Sequence, residues 1–449
     1  MTTNNIALLT DSYKLSQWPM YPEGTEKVYS YFEAREGATF PTTVFFGLQQ
    51  LIQKYLLVQV DEFYIADAKA ICDAHMGPGM FNKAGWETIR TKYNGKLPVR
   101  IWAVPEGSLH NAGDVLMVVE NHGGEELAWL TSYLETLLVH VWYPTTVASL
   151  SRSVKEMLAD YLIKTTGTTD GIDFGLHDFG CRGAVNMDAA ATGGMAHLVN
   201  FKGTDTVPAL WQAKDTYQAK LDSLGFSVAA AEHSVMTSLG RDGESEMVGR
   251  LLEVYPTGIL AAPIDSYDYF NYVVNICGND HYETIMNRDG KFVFRPDSTS
   301  DIHPTPEEEM VWLANTLYAA FGGTENELGY KILDPHVGML WGDGITPLGI
   351  DKILHALMVA GFATSNVVFG MGGGLLQKVN RDTQRFAFKC SAQLRNGEWV
   401  DVQKSPLDQT KKSKAGRFNL EERGLELVYD TGRLVKWYNF DQVRENASL

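Results

Sequence analysis

Six short apolar segments, each followed by a stretch with helical patterning, occupy residues 171–384 of this 449-residue chain. The segments are GIDFGLHDFG, FSVAAAEHS, TGILAAPIDS, KFVFRPDS, HVGMLWGDG and NVVFGMGGG. Such alternation is typical of a parallel sheet, because parallel strands need a long crossover connection that is usually a helix. So many units in succession predict a closed or nearly closed α/β barrel.

The flanking parts of the chain have a different pattern. Residues 97–120 alternate and turn like a small antiparallel unit, and residues 386–404 and 425–440 are again rich in strand-forming residues. A long buried helix is predicted from about 125 to 164. We therefore expect an α/β fold with three parts: residues 1–150 of a mixed domain, a barrel domain at 151–384, and a β-rich part at 385–449 that packs with the first.

Composition excludes several classes of function. The formal net charge of −17 opposes nonspecific binding to nucleic acid and to anionic lipid. The most apolar stretch, residues 127–143, carries Glu135 and His140 and is not a convincing membrane span. Four widely spaced cysteines form no CxxC pair and fit a reducing compartment. With a polar start that does not resemble a signal peptide, we expect a soluble, cytoplasmic protein.

Polar side chains lie at the carboxyl ends of the predicted strands, where parallel α/β folds bind ligands. They are His177, Asp178, Arg182, Glu232, His233, Asp265, Arg295, Asp297 and Asp343. Any one of these motifs alone is more often an ordinary turn. Six successive strands that end in this way predict a site.

The glycine run Gly372–Gly374 follows the last predicted strand. Glycine lets the backbone approach an anion, and we expect Lys378 and Arg381 to add charge from the following helix. The alternative is a tight turn before a solvated helix face. The basic run 411–417, KKSKAGR, is either a solvated loop or a further contact to an anionic substrate.

Residue chemistry leaves two interpretations for several positions. Arg295 suits a phosphate, and Asp297 and Asp343 suit ribose hydroxyls or Mg²⁺, although aspartate also caps helices. Capping is the role predicted for Asp351. Phe179 could stack on a flat heterocycle or simply fill the core. In the same way, His233 could be reactive or a structural histidine.

Several strings occur in an order that closely resembles the nicotinamide phosphoribosyltransferases, which have the type II phosphoribosyltransferase fold. They include DSYK (11–14), YSYFEARE (29–36), HDFGCRG (177–183), HLVNFKGTDTV (197–207), RPDS (295–298) and GGGLLQKVNRD (372–382). The resemblance implies an irregular α/β barrel plus a β-rich domain from both chain ends, and a homodimer with two shared active sites. It also implies the joining of nicotinamide to phosphoribosyl pyrophosphate, assisted by Mg²⁺, with ATP as a co-substrate that acts through a phosphohistidine.

The resemblance also assigns roles to matching positions. Phe179 should stack on the pyridine ring, Tyr13 of the partner subunit should close the other face, and Asp205 should accept a hydrogen bond from the carboxamide. The ribose and 5′-phosphate would contact Arg295, Asp297, Gly342, Asp343 and Gly373. The pyrophosphate would contact Arg182, Arg381 and the phosphorylated His233, and the adjacent subunit would add the cations Arg35, Lys389 and Lys404. The residues near Mg²⁺ would be Asp265 and Asp297. Cys181 and Ala261 depart from the tyrosine and serine expected in animal enzymes.

Three alternatives stay open at this point. Nicotinate phosphoribosyltransferase has the same fold, but Asp205 would repel the carboxylate of nicotinate. A phosphosugar lyase or isomerase would need a strand-end lysine or a poised carboxylate, and no such lysine is apparent. A dimeric binding protein without activity would have no need of the full set of cations and aspartates.

Overall fold

The computed structural model describes residues 5–405 and 412–448, and the chain is divided between two units. The first unit comprises residues 1–149, 212–220 and 379–449, and the second comprises 150–211 and 221–378. The short segment 212–220 within the first unit is not apparent from the sequence pattern. Each unit has its own sheet.

The strands are β1 Thr25–Glu33, β2 Thr43–Val44, β3 Val99–Ala103, β4 Leu109–His110, β5 Val115–Asn121, β6 Leu176–Asp178, β7 Gly203–Thr204, β8 Ala229–Ala230, β9 Thr257–Pro263, β10 Asp289–Arg295, β11 Gly323–Glu325, β12 Lys331–Leu333, β13 Val337–Trp341, β14 Val367–Met371, β15 Ala387–Arg395, β16 Glu398–Asp401, β17 Glu426–Asp430 and β18 Arg433–Leu434.

The helices are α1 Ser12–Leu15, α2 Leu48–Leu51, α3 Glu62–Met76, α4 Lys83–Lys92, α5 Leu130–Val139, α6 Trp142–Thr166, α7 Met187–His197, α8 Val207–Tyr217, α9 Leu221–Leu224, α10 His233–Met236, α11 Glu244–Val254, α12 Tyr269–Asn271, α13 Tyr282–Met286, α14 Pro306–Phe321, α15 Pro347–Val359, α16 Gly373–Leu376 and α17 Phe440–Asn446. Two π-helical segments, Ile52–Leu56 and Tyr272–Asp280, continue α2 and α12.

The first unit is built on a seven-stranded antiparallel sheet in the order β16-β15-β1-β5-β3-β17-β18. Strand β1 pairs on one side with β15 and on the other with β5, which is the central strand. Strand β5 is buried along its whole length, and its first five residues, VLMVV, are apolar on both faces. The predicted β-rich domain from the first and last parts of the chain is confirmed.

The second unit is built on a seven-stranded parallel sheet in the order β7-β6-β14-β13-β10-β9-β8. Gly203 of the edge strand β7 also pairs with Phe226, which leads into the opposite edge strand β8. The sheet therefore curves almost into a closed barrel, as predicted. Side chains of Ala261, Val293 and Leu340 pack together in its interior.

One short strand was missed and two local predictions were wrong. The sequence did not indicate the two-residue strand β7, and the long helix from 125 to 164 is two helices, because Pro144 lacks an N–H and favours the first turn of a new helix. The helix after the glycine run ends at Leu376, so Lys378 and Arg381 do not lie on it. Within the described ranges, no helix is long and apolar enough to cross a membrane.

A buried acid in the first unit anchors the start of α2. The Glu106 carboxylate accepts hydrogen bonds from the backbone N–H groups of Gly47 and Gln49, both at 2.7 Å, and from the Tyr217 hydroxyl at 3.2 Å. Burial raises the pKa of Glu106 to about 7, although these donors oppose the shift. The acid therefore binds a proton more tightly in the folded than in the unfolded chain.

The free energy of unfolding of wild type, measured relative to that of Glu106→Gln, should depend on pH because of this buried acid. The stability advantage of wild type over the variant should be fully present below about pH 4.5. It should decline by about 3 kcal/mol as the pH rises through about 7, because deprotonation inside the protein is costly. Urea unfolding of both proteins at pH 5 and pH 8 measures the difference. A difference that is the same at both pH values would contradict the assignment.

Candidate active site

Phe179 lies directly after β6, with its ring against the backbone of β14. Its N–H donates to the carbonyl of Met371 at 3.0 Å. A Cβ added to Gly370 would lie only 2.0 Å from the ring, and one added to Gly342 would lie 3.3 Å away. Glycine at position 370 therefore makes the space in which the ring lies.

Asp205 follows β7 and its side chain is exposed. Its backbone N–H donates to the carbonyl of Asp178 at 2.9 Å, which holds the end of β7 beside the end of β6. The Ser227 hydroxyl donates to Oδ1 of Asp205. Nearby His177 has a pKa lowered by burial, although the Asp205 charge opposes the shift. A carboxylate and a neutral imidazole therefore lie close to each other beside Phe179.

His233 is held between two acids. Its Nε2 lies 2.9 Å from Oδ1 of Asp265, and its Nδ1 lies 3.9 Å from Oδ2 of Asp297. The Ser298 hydroxyl donates to Oδ2 of Asp265 at 2.5 Å. On the far side of Asp297, Nε of Arg295 is 3.4 Å from Oδ1. The ends of three neighbouring strands, β8, β9 and β10, thus contribute to one connected polar network.

Asp297 has a pKa raised above its usual value. Burial is the main cause, and the charges of Asp265 and Asp343 add to it, while Arg295 and His233 oppose it. The charges of two further acids that act on Asp297 favour a cation beside it. This arrangement fits Mg²⁺, which usually takes one or two protein carboxylates together with substrate phosphates. No group of three or more acidic, cysteine or histidine side chains arranged as a complete metal site occurs among the described residues.

Neither Asp297 nor Asp343 caps the helix that follows it. Thr305 caps α14, and Thr346 caps α15. The capping alternative for these two aspartates is therefore excluded. Asp351, for which capping was predicted, lies inside α15 and accepts a hydrogen bond from the Tyr161 hydroxyl at 2.8 Å, so that prediction was wrong.

Two cavities meet at the carboxyl edge of the parallel sheet. The outer cavity, of about 780 Å³, is lined by Phe179, Cys181, Arg182, Gly183, Met187, Asp205, Arg295, Asp297, Gly342–Ile345, Gly372–Gly374 and Lys378. The inner cavity, of about 400 Å³, runs into the barrel past His177, Val228, Ala261, Val293 and Lys291. Phe179, Asp205 and Arg295 line both cavities. Most of the predicted residues of this unit therefore surround one space.

The other predicted residues belong to the first unit, which is described by itself. Arg35 and Lys404 lower the pKa of Lys389, together with the larger effect of burial, so these three cations lie close together. Tyr13 is 55% exposed. Arg381 is exposed and lies 3.7 Å from the Asp382 carboxylate. Their predicted contacts to substrate stay predictions.

The basic run 411–417 is only partly described, since Lys411 lies outside the described residues. Lys414 forms an ion pair with Glu33, and the guanidinium of Arg417 lies 4.5 Å from the Trp399 ring centroid. These two charges are therefore engaged within the first unit rather than fully solvated.

Sequence reasoning missed three residues of the site. Ser227 and Ser298 each donate a hydrogen bond to one of the predicted acids, and Gly370 contacts Phe179 more closely than the run Gly372–Gly374 does. Ser298 directly follows Asp297, which was a usable signal. Nothing in the local sequence distinguishes Ser227 or Gly370 from ordinary strand residues.

Comparison with known proteins agrees with this geometry. Residues 174–433 match the model of the nicotinate phosphoribosyltransferase (NAPRTase) family, and residues 5–101 match that of the nicotinamide phosphoribosyltransferase N-terminal domain. The chain belongs to the nicotinate phosphoribosyltransferase family. The match to the family model begins just before β6 and includes every strand of the parallel sheet.

The sequences of two curated relatives align with this family member over nearly its whole length. It is 41% identical to nicotinamide phosphoribosyltransferase of Xanthomonas campestris pv. campestris, with 99% of this chain and 98% of the relative aligned. It is 32% identical to the Acinetobacter baylyi protein of the same name, with 98% and 96% aligned. The family member is therefore an enzyme of the phosphoribosyltransferase class.

Solved structures support the fold. Human nicotinic acid phosphoribosyltransferase is 14% identical and has a TM-score of 0.59, with 98% of this chain and 93% of that chain aligned. Nicotinate-nucleotide pyrophosphorylase from Pyrococcus furiosus is 13% identical and has a TM-score of 0.56, with 100% and 96% aligned. These two likenesses show that the chain has the same fold as those structures.

Proposed function

We propose that this family member is a nicotinamide phosphoribosyltransferase of NAD biosynthesis. It would join nicotinamide to phosphoribosyl pyrophosphate and release nicotinamide mononucleotide and pyrophosphate. One observation carries the proposal: the exposed Asp205 carboxylate lines the same cavities as Phe179 and Arg295. A carboxylate accepts a hydrogen bond from a carboxamide and repels a second carboxylate. The names of the bacterial relatives support the same choice of base.

The reaction needs little acid–base chemistry. The ring nitrogen of nicotinamide already has a lone pair, which forms the bond to the anomeric carbon of the ribose. The bond from that carbon to the pyrophosphate oxygen breaks, and the leaving pyrophosphate keeps the electron pair. The protein then has two tasks, to position the ring and to stabilise charge on the leaving group.

The described residues of the second unit are suited to both tasks. Phe179 offers a flat face for the pyridine ring. Asp205 orients the carboxamide. Arg295 and Arg182 supply charged donors for phosphate oxygens, and the backbone at Gly373, where an added Cβ would meet nothing within 4 Å, leaves room for a phosphate. Asp343 would accept a hydrogen bond from a ribose hydroxyl.

The acids Asp265 and Asp297 would hold Mg²⁺. When bound, Mg²⁺ neutralises charge on the departing pyrophosphate. Arg295, 3.4 Å from Asp297, would keep that acid oriented toward the outer cavity. His233 would keep Asp265 in place by the 2.9 Å contact at Nε2.

We propose that ATP is a co-substrate that phosphorylates His233. A proton on Nε2, shared with Asp265, leaves the lone pair on Nδ1 as the nucleophile. Nδ1 would form a bond to the terminal phosphorus of ATP while the bond to the bridging oxygen breaks, and ADP would leave with the electron pair.

We also infer a homodimer in which each site is completed by the partner's Tyr13, the partner's Arg35, the partner's Lys389 and the partner's Lys404. Light scattering of the purified chain would test this assembly. The free thiols of all four cysteines support a reducing compartment such as the cytoplasm.

The assay that tests the function compares the two bases at matched concentrations. With phosphoribosyl pyrophosphate and Mg²⁺, wild type should form mononucleotide from nicotinamide in strong preference to nicotinate. Asp205→Asn should raise the KM for nicotinamide by about 10- to 100-fold, because a charged acceptor is replaced by a neutral amide whose NH₂ group cannot accept. The exposed Asp222→Asn on α9 is a matched control without this effect. Wild-type preference for nicotinate would overturn the proposed function.

His233→Ala should abolish the stimulation by ATP, because the imidazole is the only phosphoryl acceptor in the proposed coupling. Mononucleotide formation without ATP should also fall, because Asp265 loses its 2.9 Å contact with Nε2 of His233. His336→Ala is the matched control, because His336 also pairs with an aspartate, Asp334, at 2.7 Å, but at the amino end of β13. Retention of ATP stimulation in His233→Ala would exclude the phosphohistidine at this position.

A further inference from the structure

We propose that Glu309 is a positioning residue that holds the loops of Asp265 and Asp297 in fixed relation to each other. The two loops follow the neighbouring parallel strands β9 and β10. The inference rests on the proposed function, since it concerns the acids that would face Mg²⁺ and phosphoribosyl pyrophosphate. It adds a residue that contacts neither ligand.

Glu309 is an unusual acid for its place in the fold. It lies in the first turns of α14 and is completely buried, next to the buried Met310 and Leu313. It is not needed to cap the helix, because Thr305 and Glu308 form a capping box there. A buried carboxylate needs polar partners to offset its desolvation. Its partners are the two loops.

The loop after β10 is attached through its backbone. Oε2 of Glu309 accepts a hydrogen bond from the N–H of Ser300 at 2.9 Å. Ser300 is three residues beyond Asp297, and His303 of the same loop has its Nδ1 4.0 Å from Oε1 of Glu309. The carboxylate thus fixes the loop immediately after the acid of the active site.

The loop after β9 leads into α12, whose first residue, Tyr269, faces the same carboxylate and lies four residues beyond Asp265. Burial and then the Glu309 charge raise the pKa of Tyr269, so its phenol stays protonated. Within the described residues, neither the Tyr269 hydroxyl nor Oε1 of Glu309 has a hydrogen bond of normal geometry to any other group. The phenol is therefore available to donate to Glu309.

An aromatic cluster reinforces the polar contact. Trp312 lies one turn beyond Glu309 on the same face of α14. Its ring centroid is 4.9 Å from that of Tyr269 and 4.7 Å from that of Phe270, both in α12 directly after the first loop. It is 5.8 Å from that of His303 in the second loop. Glu309 and Trp312, on one face of α14, therefore both face the segments that follow β9 and β10.

The alignment of the two loops determines the geometry of the acids. Asp265 contacts Ser298 of the other loop at 2.5 Å and His233 at 2.9 Å, and His233 lies 3.9 Å from Asp297. A displacement of about 1 Å between the loops would break these contacts and misplace the acids. Phe179 and Asp205, which would bind the pyridine ring and its carboxamide, depend on β6, β7 and β14 and would be little affected.

The test separates binding of the phosphate substrate from binding of the base. Glu309→Ala should weaken binding of phosphoribosyl pyrophosphate with Mg²⁺ about tenfold by calorimetry, and raise its KM by a similar factor. The KM for nicotinamide should stay within about twofold. Glu309→Gln, which keeps an acceptor for Ser300, should restore most of the binding. Tyr269→Phe keeps the aromatic packing and the contact of Glu309 with Ser300, so it should cost only about threefold.

Glu307→Gln is the matched control, since it removes a charge from the same turn of α14 without touching the buried carboxylate, and it should behave as wild type. Equal rises in both KM values, or a lower melting temperature with unchanged calorimetric binding, would overturn the positioning role. A wild-type chain that forms no mononucleotide, with binding still weakened in Glu309→Ala, would overturn the proposed function and leave the positioning role standing.

Discussion

Replacing Arg295 with alanine is expected to lower kcat/KM for phosphoribosyl pyrophosphate by about a thousandfold. The guanidinium is mostly buried, and its Nη2 donates to the Ala231 carbonyl at 3.0 Å while Nε faces Asp297. These two contacts fix the plane of the fork, and the remaining donors line both cavities. The substitution would remove those donors and leave the acids of the site without their nearest cation.

Arg295→Lys distinguishes charge from geometry. It keeps the positive charge but has no planar fork, so we expect it to recover about one tenth of the wild-type rate at most. Steady-state kinetics with the phosphate substrate varied, beside the melting temperature of each variant, measures the effect. Full activity in Arg295→Lys would show that only net charge matters at this position.

Gly370→Ala should reduce kcat/KM for nicotinamide about a hundredfold. The added Cβ would lie 2.0 Å from the Phe179 ring, and both residues are held by the parallel pairing of β14 with β6. The backbone is confined within the sheet, so the ring must move instead. A ring displaced by about 1 Å can no longer stack on the base in the geometry of attack.

A double-mutant cycle identifies the cause of that loss. In the background of Phe179→Ala the space beside Gly370 is open, and Gly370→Ala should have little further effect. The relevant readout is the KM for nicotinamide in all four proteins, with the KM for phosphoribosyl pyrophosphate as the internal reference. If the two substitutions raise the KM for nicotinamide additively, the methyl group of Gly370→Ala acts by disturbing the sheet and not by displacing the Phe179 ring.

The parts of the fold that were predictable are those with a repeated pattern. The strands that end at or just before Asp178, Asp265, Arg295 and Asp343 come from apolar runs that end in charge, and parallel pairing brings such ends to one edge. By contrast, β7 has two residues, Gly203 and Thr204, which is too short for any period. Its place in the sheet depends on backbone pairing with residues that are remote in sequence.

Much of the site could likewise be predicted from residue type, since Arg295, Asp297 and Phe179 each carry their chemistry in the side chain. Ser227 and Gly370 could not, because their importance arises from what packs beside them. The helix after Gly374 was overestimated for a related reason. LLQKVNRD has good helix formers, but the chain turns after Leu376 and then passes into the first unit, which no local propensity reports.

The pairing of β1 with β15 has a consequence for how the chain is made. These strands are about 360 residues apart in sequence, yet Phe32 and Phe388 are directly opposed. A ribosome synthesises the amino-terminal strand long before its neighbour exists, so β1 must wait with one edge unpaired while the intervening polypeptide emerges. The parallel sheet, whose strands all lie between residues 176 and 371, can assemble during that interval. The antiparallel sheet is completed only after β17 and β18 have emerged, and until β15 emerges the unpaired edge of β1 is open to association with other chains.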